Sequence, residues 1–391
     1  MKMAKIVERL QGSGGAKWEV HNRAKDLAAA GRDVIMLTIG EPDVPPSSDL
    51  LETAISAIRA GRTNYSDGRG EPELREALAN YYTDRDGRAF GPENILCFPG
   101  TQTALYGVMR GLAESGDEVL VGDPMYATYE GVVRASGADV VKVPLRPEHG
   151  FRIQAADIKA RITDRTCAVL LTTPHNPTGA ILTPQDITEI GALAKEHDFW
   201  IISDEVYSEL IFGDTEFESP QAREDLQDRV VVVSSISKSH AAPGFRSGWC
   251  VGSAEFIEGL LPLAEAMLFG NQPFIADMTA KAVRDGSLVA EGMCRRFSAR
   301  AQRMEDQLGH NQTCLRVSRP DAGMFALMDV AGTGLDGDAF ANALLDRQGV
   351  AVMPGSSFGE GLNSWVRVAL TVPDAEFDTA LTRVKAFCDA L

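Results

Sequence analysis

VVVVSSISKSHAAPGFRSGW, residues 230–249, decides how the rest of the chain is read. Its four valines are apolar toward both faces of a strand, and only a sheet covered on both sides buries such a run. The strand then breaks into Ser234, Ser235, Ser237 and Lys238, with Arg246 eight residues beyond the lysine. A lysine after a strand is ordinarily a solvated surface charge. Small hydroxylic and apolar neighbours instead suit a lysine drawn into a pocket, where desolvation and a nearby cation lower its pKa and leave the amine nucleophilic.

Working outward, the same kind of run recurs at ILCFPG (95–100), EVLVGDP (118–124), DVVKVPL (139–145), CAVLLTTP (167–174), WIISDE (200–205) and SGWCVG (247–252). Helical patterns separate these runs, which predicts an α/β fold with a mostly parallel sheet covered by helices. Helical spacing marks 16–30, 51–60 and 72–82, DVIMLTIGEPD reads as a strand breaking at Gly40, and helices dominate 254–309. A second α+β pattern closes the chain with TCLRVS, GMFALMDV, VAVMPG, SWVRVAL and a final helix. The expected division is a large domain over 46–285 and a small α+β domain from 1–45 plus 286–391. A chain of 391 residues has room for both, since domains usually hold about 100–200 residues.

The chain carries 38 Lys and Arg against 55 Asp and Glu, a net charge of −17. Nucleic acid and anionic membrane surfaces are disfavoured as partners, while a local cluster of cations for a small anion is not. The six cysteines (Cys97, Cys167, Cys250, Cys294, Cys314, Cys388) are scattered singly, which predicts neither disulfides nor a metal site. Charge interrupts the opening MKMAKIVERLQGSGG, and no later stretch offers about 18 consecutive apolar residues, so a cytoplasmic, non-membrane protein is expected.

In open α/β sheets, ligands sit beyond the carboxyl ends of the strands, and the unusual residues of this chain collect there. WIISDEVY runs a buried strand into Asp204, with Tyr207 three residues on. The carboxylate reads either as a helix N-cap or as the partner of a protonated ring nitrogen, the contact a pyridoxal phosphate cofactor needs to act as an electron sink. LLTTPHNPTGA fixes Asn176 between Pro174 and Pro177, where its amide can donate to a phenolate-like oxygen. ILCFPGTQTAL passes through Gly100 into a helix, so that the free N–H groups of Thr101 and Gln102 can bind phosphate or simply make a βα turn. Tyr126 in VGDPMYATYE lies beyond another strand, placed to stack on a flat ring or to fill the core.

These residues carry a resemblance. The chain resembles the class I/II pyridoxal-phosphate-dependent aminotransferases of fold type I from about residue 16 to the C-terminus. It shows LTIGEPDV, NYSDGRGEPELREALA, the Gly100–Gln102 turn, Tyr126, PHNPTGA, SDEVY, SISKSHAAPGFRSGW and WVRVAL in the family's order. The resemblance implies that Lys238 bonds the cofactor and shuttles the substrate α-proton. It implies that Asp204 pairs with the pyridinium nitrogen and that Asn176 and Tyr207 hydrogen-bond the ring oxygen. Gly100, Thr101, Gln102, Ser235, Ser237 and Arg246 would hold the phosphate, and Tyr126 would stack on the ring. Tyr65 would reach the phosphate of a neighbouring subunit, which implies a homodimer with a shared site. Arg367 would clamp the substrate α-carboxylate with its planar fork, beside Asn176 and the backbone of Gly40. The expected reaction is ping-pong transfer of an amino group from an L-amino acid to a 2-oxo acid.

Members that act on aspartate commonly carry Lys at the Thr101 position, so a dicarboxylate substrate is not expected. WEVHNRA, DPMYATYE, SDEVYSELIF, SKSHA and GMFALMDV look most like bacterial arginine:pyruvate transaminases, which points to basic or aromatic amino acids and to pyruvate. Trp18 can face a guanidinium or an aryl group, although a core role is the plainer reading. The rivals are a carbon–sulfur lyase using the same residues and a non-enzymatic regulator domain of the same fold. AGTGLDG has dinucleotide-motif spacing but reads as a turn with Asp338 as N-cap, and GSGGAK lacks Walker spacing. His240, beside Lys238, reads as a substrate contact or a structural residue, and His175 is similarly open.

Overall fold

The computed structural model describes residues 3–11, 16–309 and 312–391, so Gly12–Gly15 of the GSGGAK stretch lie outside the described residues. Among those described, the strands are β1 (Ile35–Leu37), β2 (Ile95–Phe98), β3 (Glu118–Asp123), β4 (Asp139–Pro144), β5 (Thr166–Thr172), β6 (Trp200–Asp204), β7 (Val230–Ser235) and β8 (Gly248–Val251), followed by β9 (Arg316–Ser318), β10 (Phe325–Asp329), β11 (Val350–Pro354) and β12 (Trp365–Ala369). All seven apolar runs between 94 and 252 become strands of one sheet, ordered β2–β8–β7–β6–β5–β3–β4. Alternate residues of each strand enter different cores. Leu96, Val119, Leu170, Ile202 and Val231 pack with the helices Thr101–Leu112, Tyr129–Ser136 and Ala254–Met267 on one face. Ile95, Leu120, Val169, Ile201 and Val232 pack with Pro72–Asp86, Pro184–His197 and Pro273–Asp285 on the other. Burial on both faces is why the runs are continuously apolar rather than alternating.

The sheet is parallel except at β8, which runs against both β2 and β7. Between β7 and β8 lie only the short helix Ile236–Ser239 and a 3₁₀ turn at Pro243–Phe245, too little chain for a crossover, so it returns antiparallel. That reversal folds Lys238 and Arg246 back over the sheet's carboxyl edge.

The second sheet has the order β1–β11–β12–β10–β9, with β1 parallel to β11 and the other pairs antiparallel. The strand read at DVIMLTIGEPD is short, because after Leu37 the chain leaves the sheet toward Gly40. The AGTGLDG turn leads into the helix Gly337–Gln348, and its N-cap is Asp336, whose Oδ1 accepts from the Ala339 amide at 2.8 Å. Asp338 therefore sits in the first turn instead of capping it. Gly337 packs against the Trp365 carbonyl too closely to admit a side chain, and this fixes where the helix can begin. No helix of the described residues is long and apolar enough to cross a membrane.

Buried Arg300, 2% exposed, joins the parts of the second unit. Its Nη1 donates to Asp43 Oδ2 at 2.9 Å and to the Leu370 carbonyl at 2.7 Å, and its Nε to Asp374 Oδ1 at 2.8 Å. Burial alone would raise the Asp43 carboxyl, yet hydrogen bonds from Arg296 and Arg300 hold it below its ordinary value. The loop that carries Gly40 is thereby tied to the helix Ala290–Leu308 and to the start of Asp374–Asp389. Arg300→Met should lower the unfolding free energy by about 2 kcal/mol, since it removes an ion pair to buried Asp43 and a buried hydrogen bond to the Leu370 carbonyl. A urea midpoint unchanged at constant slope would show that the network is dispensable.

Candidate active site

The register of the large sheet brings Thr172 of β5, Asp204 of β6 and Val233 of β7 side by side at one edge. Beyond that edge opens a cavity of about 270 Å³. Lys238, Asp204, Tyr207, Ser235 and Ser237 line it from β6, β7 and the turns after them. Thr101 and Gln102 reach it from the helix after β2, Tyr126 from the turn after β3, Asn176 from the turn after β5, and Gly40, Arg246 and Arg367 complete the wall.

Lys238 Nζ donates to the Gly40 carbonyl at 3.0 Å. Burial lowers its amine to about 8; Glu41 opposes that shift, and Arg367 and Arg246 add to it. Across the cavity, Asp204 is buried without a cation: no ion pair from the described residues reaches it. Its Oδ2 accepts from Tyr129 Oη at 2.7 Å and its Oδ1 from the Val206 amide at 3.2 Å. Desolvation raises the carboxyl to about 6 against these two hydrogen bonds. A carboxylate in that state is an acceptor short of a positive partner.

Arg367 is the second such group. It is 2% exposed, and its guanidinium carbon lies over the ring of Phe325, 3.8 Å from the centroid, and that of Phe358, at 4.4 Å. Nη1 donates to Asn176 Oδ1 at 3.1 Å and Nη2 to the Thr38 carbonyl at 2.6 Å, while Nε has no partner. Burial lowers the guanidinium to about 10. The aromatic faces hold the fork in one plane and leave an N–H edge for a planar anion.

A third corner gathers donors. Gly100 caps the helix Thr101–Leu112 with φ +88°, a backbone angle that admits glycine, and a side chain there would run into the Arg246 guanidinium. Gly248 of β8 lies so close that a Cβ on it would fall 2.6 Å from the Gly100 carbonyl carbon and 2.7 Å from the Thr101 nitrogen. Thr101 Oγ1 donates to Ser235 Oγ at 2.8 Å, and Arg246, itself left-handed at φ +53°, donates to the Pro243 carbonyl at 2.9 Å. Exposed helix N–H groups, hydroxyls and a guanidinium at one point make an anion cradle. No group of histidines, cysteines and carboxylates among the described residues can hold a metal ion.

Every singled-out site residue except Tyr65 meets at or beside this cavity. Tyr65 stands apart, 90% exposed, its ring 6.0 Å from that of Phe269, which is 64% exposed. Trp18, read more readily as core, lines the cavity. His240 does not: its Nε2 bonds the Ala282 carbonyl at 3.0 Å and it faces a separate recess. His175 pairs with Thr178 at 2.9 Å, and burial drops it to about 4, leaving it neutral. The partners missed in the sequence are Tyr129, Thr172, Phe325 and Phe358. Tyr129 lies three residues after Tyr126, one helical turn on, which is the one signal that could have found it.

The sequence matches the family model for aminotransferase class I and II over residues 32–384. This chain belongs to the class I and II aminotransferases. The aminotransferase is 40% identical over 390 residues to the arginine–pyruvate transaminase of Pseudomonas aeruginosa, covering 100% of this chain and 98% of that one. It is 32% identical over 399 residues to the aspartate aminotransferase of Geobacillus stearothermophilus, covering 100% of both. Among solved structures, a double mutant of Thermus thermophilus aspartate aminotransferase superposes with a TM-score of 0.93 at 29% identity over 99% of each chain. The aromatic aminotransferase of Pyrococcus horikoshii gives 0.88 at 30% identity, over 94% of this chain and 99% of that one. The family resemblance read from the motifs is borne out, and so is the fold.

In the cofactor-free aminotransferase, carbamoylation of Lys238 by cyanate should be half-maximal near pH 8, because protonation silences the amine below that point. Surface lysines should follow near pH 10.4. Peptide mapping that finds Lys238 reacting only with the surface set would remove the buried-amine description.

Proposed function

We propose that this aminotransferase moves the amino group of an L-amino acid to a 2-oxo acid in two ping-pong half-reactions, using pyridoxal 5'-phosphate held in the cavity. One observation carries this reading: the buried Asp204 carboxylate lacks a cation and shares a cavity with a buried, deprotonation-prone lysine. A protonated pyridine nitrogen is the partner Asp204 lacks, the cradle at Gly100 suits a phosphate, and the free edge of Arg367 suits a carboxylate. These features fit the cofactor and its substrate.

In this reading Asp204 holds the ring nitrogen, Asn176 and Tyr207 bond the ring hydroxyl, and Tyr126 covers the ring face. Gly100, Thr101, Gln102, Ser235, Ser237 and Arg246 hold the phosphate. Arg367, with Asn176 and Gly40, fixes the substrate carboxylate and so sets which α-bond faces Lys238. When bound, the cofactor supplies an electron sink for the charge left on the α-carbon. Lys238 takes the α-proton and returns it elsewhere, a task suited to an amine whose pKa is near the working pH. Buried Tyr207 and half-buried Tyr126 limit water on one side.

The similarity to an arginine–pyruvate transaminase supports arginine and pyruvate as the first pair to test. Thr101 offers no cation to a second carboxylate. Tyr65 and Phe269, both strongly exposed, border a surface recess beside Pro99, next to the phosphate cradle. Aromatic rings so exposed suit burial against a second copy, with Tyr65 reaching the partner's phosphate in a cytoplasmic homodimer.

A panel of amino acids with pyruvate should identify a donor that forms alanine and its own 2-oxo acid. Lys238→Ala should abolish turnover, and Arg367→Ala should raise KM at least about 30-fold with the cofactor retained, since a buried charge pair loses one side. Release of ammonia and pyruvate from a cysteine conjugate, with no amino group transferred from any donor, would replace this reading with a carbon–sulfur lyase.

A further inference from the structure

Asp204 has two hydrogen-bond donors among the described residues, and only one is a side chain. Tyr129 is 2% exposed, and its hydroxyl lies 2.7 Å from Asp204 Oδ2 and 2.8 Å from Thr172 Oγ1. A phenol has one proton to give. The carboxylate is the stronger acceptor, so that proton goes to Asp204, and the Tyr129 oxygen then accepts from the Thr172 hydroxyl. The chain of donors runs one way, from Thr172 through Tyr129 to Asp204. Burial and the Asp204 charge both push the Tyr129 phenol well up, so it stays a neutral donor.

Tyr129 also touches the other ring-facing group. Its ring meets that of Tyr126 edge-on, with centroids 5.5 Å apart at 80°. Thus one side chain touches both the carboxylate at one edge of the cavity and the aromatic platform over it. A neutral donor suits the place. A lysine or arginine there would pair with Asp204 and cancel the charge a cationic ring nitrogen needs, whereas an apolar residue would leave Oδ2 without a donor.

We propose that Tyr129 is the positioning residue of this site, a neutral relay from Thr172 that fixes the Asp204 carboxylate in its ionised form for a cationic ring nitrogen while bracing Tyr126. This rests on the cofactor reading above. The other titratable groups around Asp204 are Tyr126 and Tyr207, with Lys238, Arg246 and Arg367 on the same cavity. Tyr129→Phe leaves all of them in place.

The test measures the dissociation constant of pyridoxal 5'-phosphate for the apo-protein by absorbance from pH 5 to 8.5. Without the Tyr129 proton the carboxyl becomes harder to ionise, so the acid limb of the affinity curve should move to higher pH by about half a unit or more in Tyr129→Phe. Affinity at neutral pH should fall about tenfold, equivalent to about 1.4 kcal/mol. Thr172→Val, which removes only the upstream donor, should shift the limb the same way by less. Tyr129→His should restore part of the affinity if the donor, rather than the ring alone, matters. A Tyr129→Phe protein with wild-type affinity and limb overturns the proposal. If that variant does not fold, an unmoved limb in Thr172→Val overturns it instead. Failure of the cofactor reading is distinct, because the wild-type protein would then bind no pyridoxal phosphate.

Discussion

An ionisable carboxylate sits at the end of a central strand with no basic side chain to meet it, and much of the site's architecture can be understood from that constraint. Asp204 is held by a phenol and a backbone amide, both neutral, so its charge remains available to a ligand. The apo-protein bears the cost as a raised carboxyl pKa. Around it the fold arranges complementary groups: a lysine whose proton burial loosens, and an arginine with an unspent N–H. In the proposed reading, these groups suit a cationic ring, a phosphate and a carboxylate.

The acidic excess of the chain as a whole does not dominate the cavity, whose lining carries Asp204 against three cations. Lys238 and Arg246 from one segment and Arg367 from far along the sequence converge on the cavity, although the net charge of the chain is −17. Arg300 shows the same principle used for structure. There the cation meets Asp43, Asp374 and a carbonyl, so it binds parts of the protein together. Arg367, by contrast, meets no carboxylate among the described residues and keeps its Nε without a partner.

The parallel strands were legible in the sequence because burial on both faces leaves an unbroken apolar run, and Lys238, Asp204 and Asn176 were legible because they end such runs. The reversal of β8 was not, since periodicity carries no strand direction; only the short connection after β7 encodes it. Asp338 was chosen over Asp336 as N-cap because two aspartates flank the glycine, and the choice depends on how closely Gly337 packs on β12. Tyr129 was hidden for another reason. A tyrosine at the start of a helix looks like core packing until the register of β5 and β6 puts Thr172 and Asp204 beside it. Trp18, read more readily as core, lines the cavity because the path of the N-terminal segment is set by long-range contacts, whereas His240 takes the structural one of its two readings.

The close approach of Gly248 to the Gly100–Thr101 peptide joins the start of β8 to the proposed anion cradle through backbone alone. Position 248 carries no functional group, yet the Thr101 amide occupies the space a side chain there would need. Even a methyl group there would displace the amide without deleting a single donor. A residue with no chemistry of its own is thus held to glycine by the backbone it faces, and a survey based on side-chain roles would pass over it.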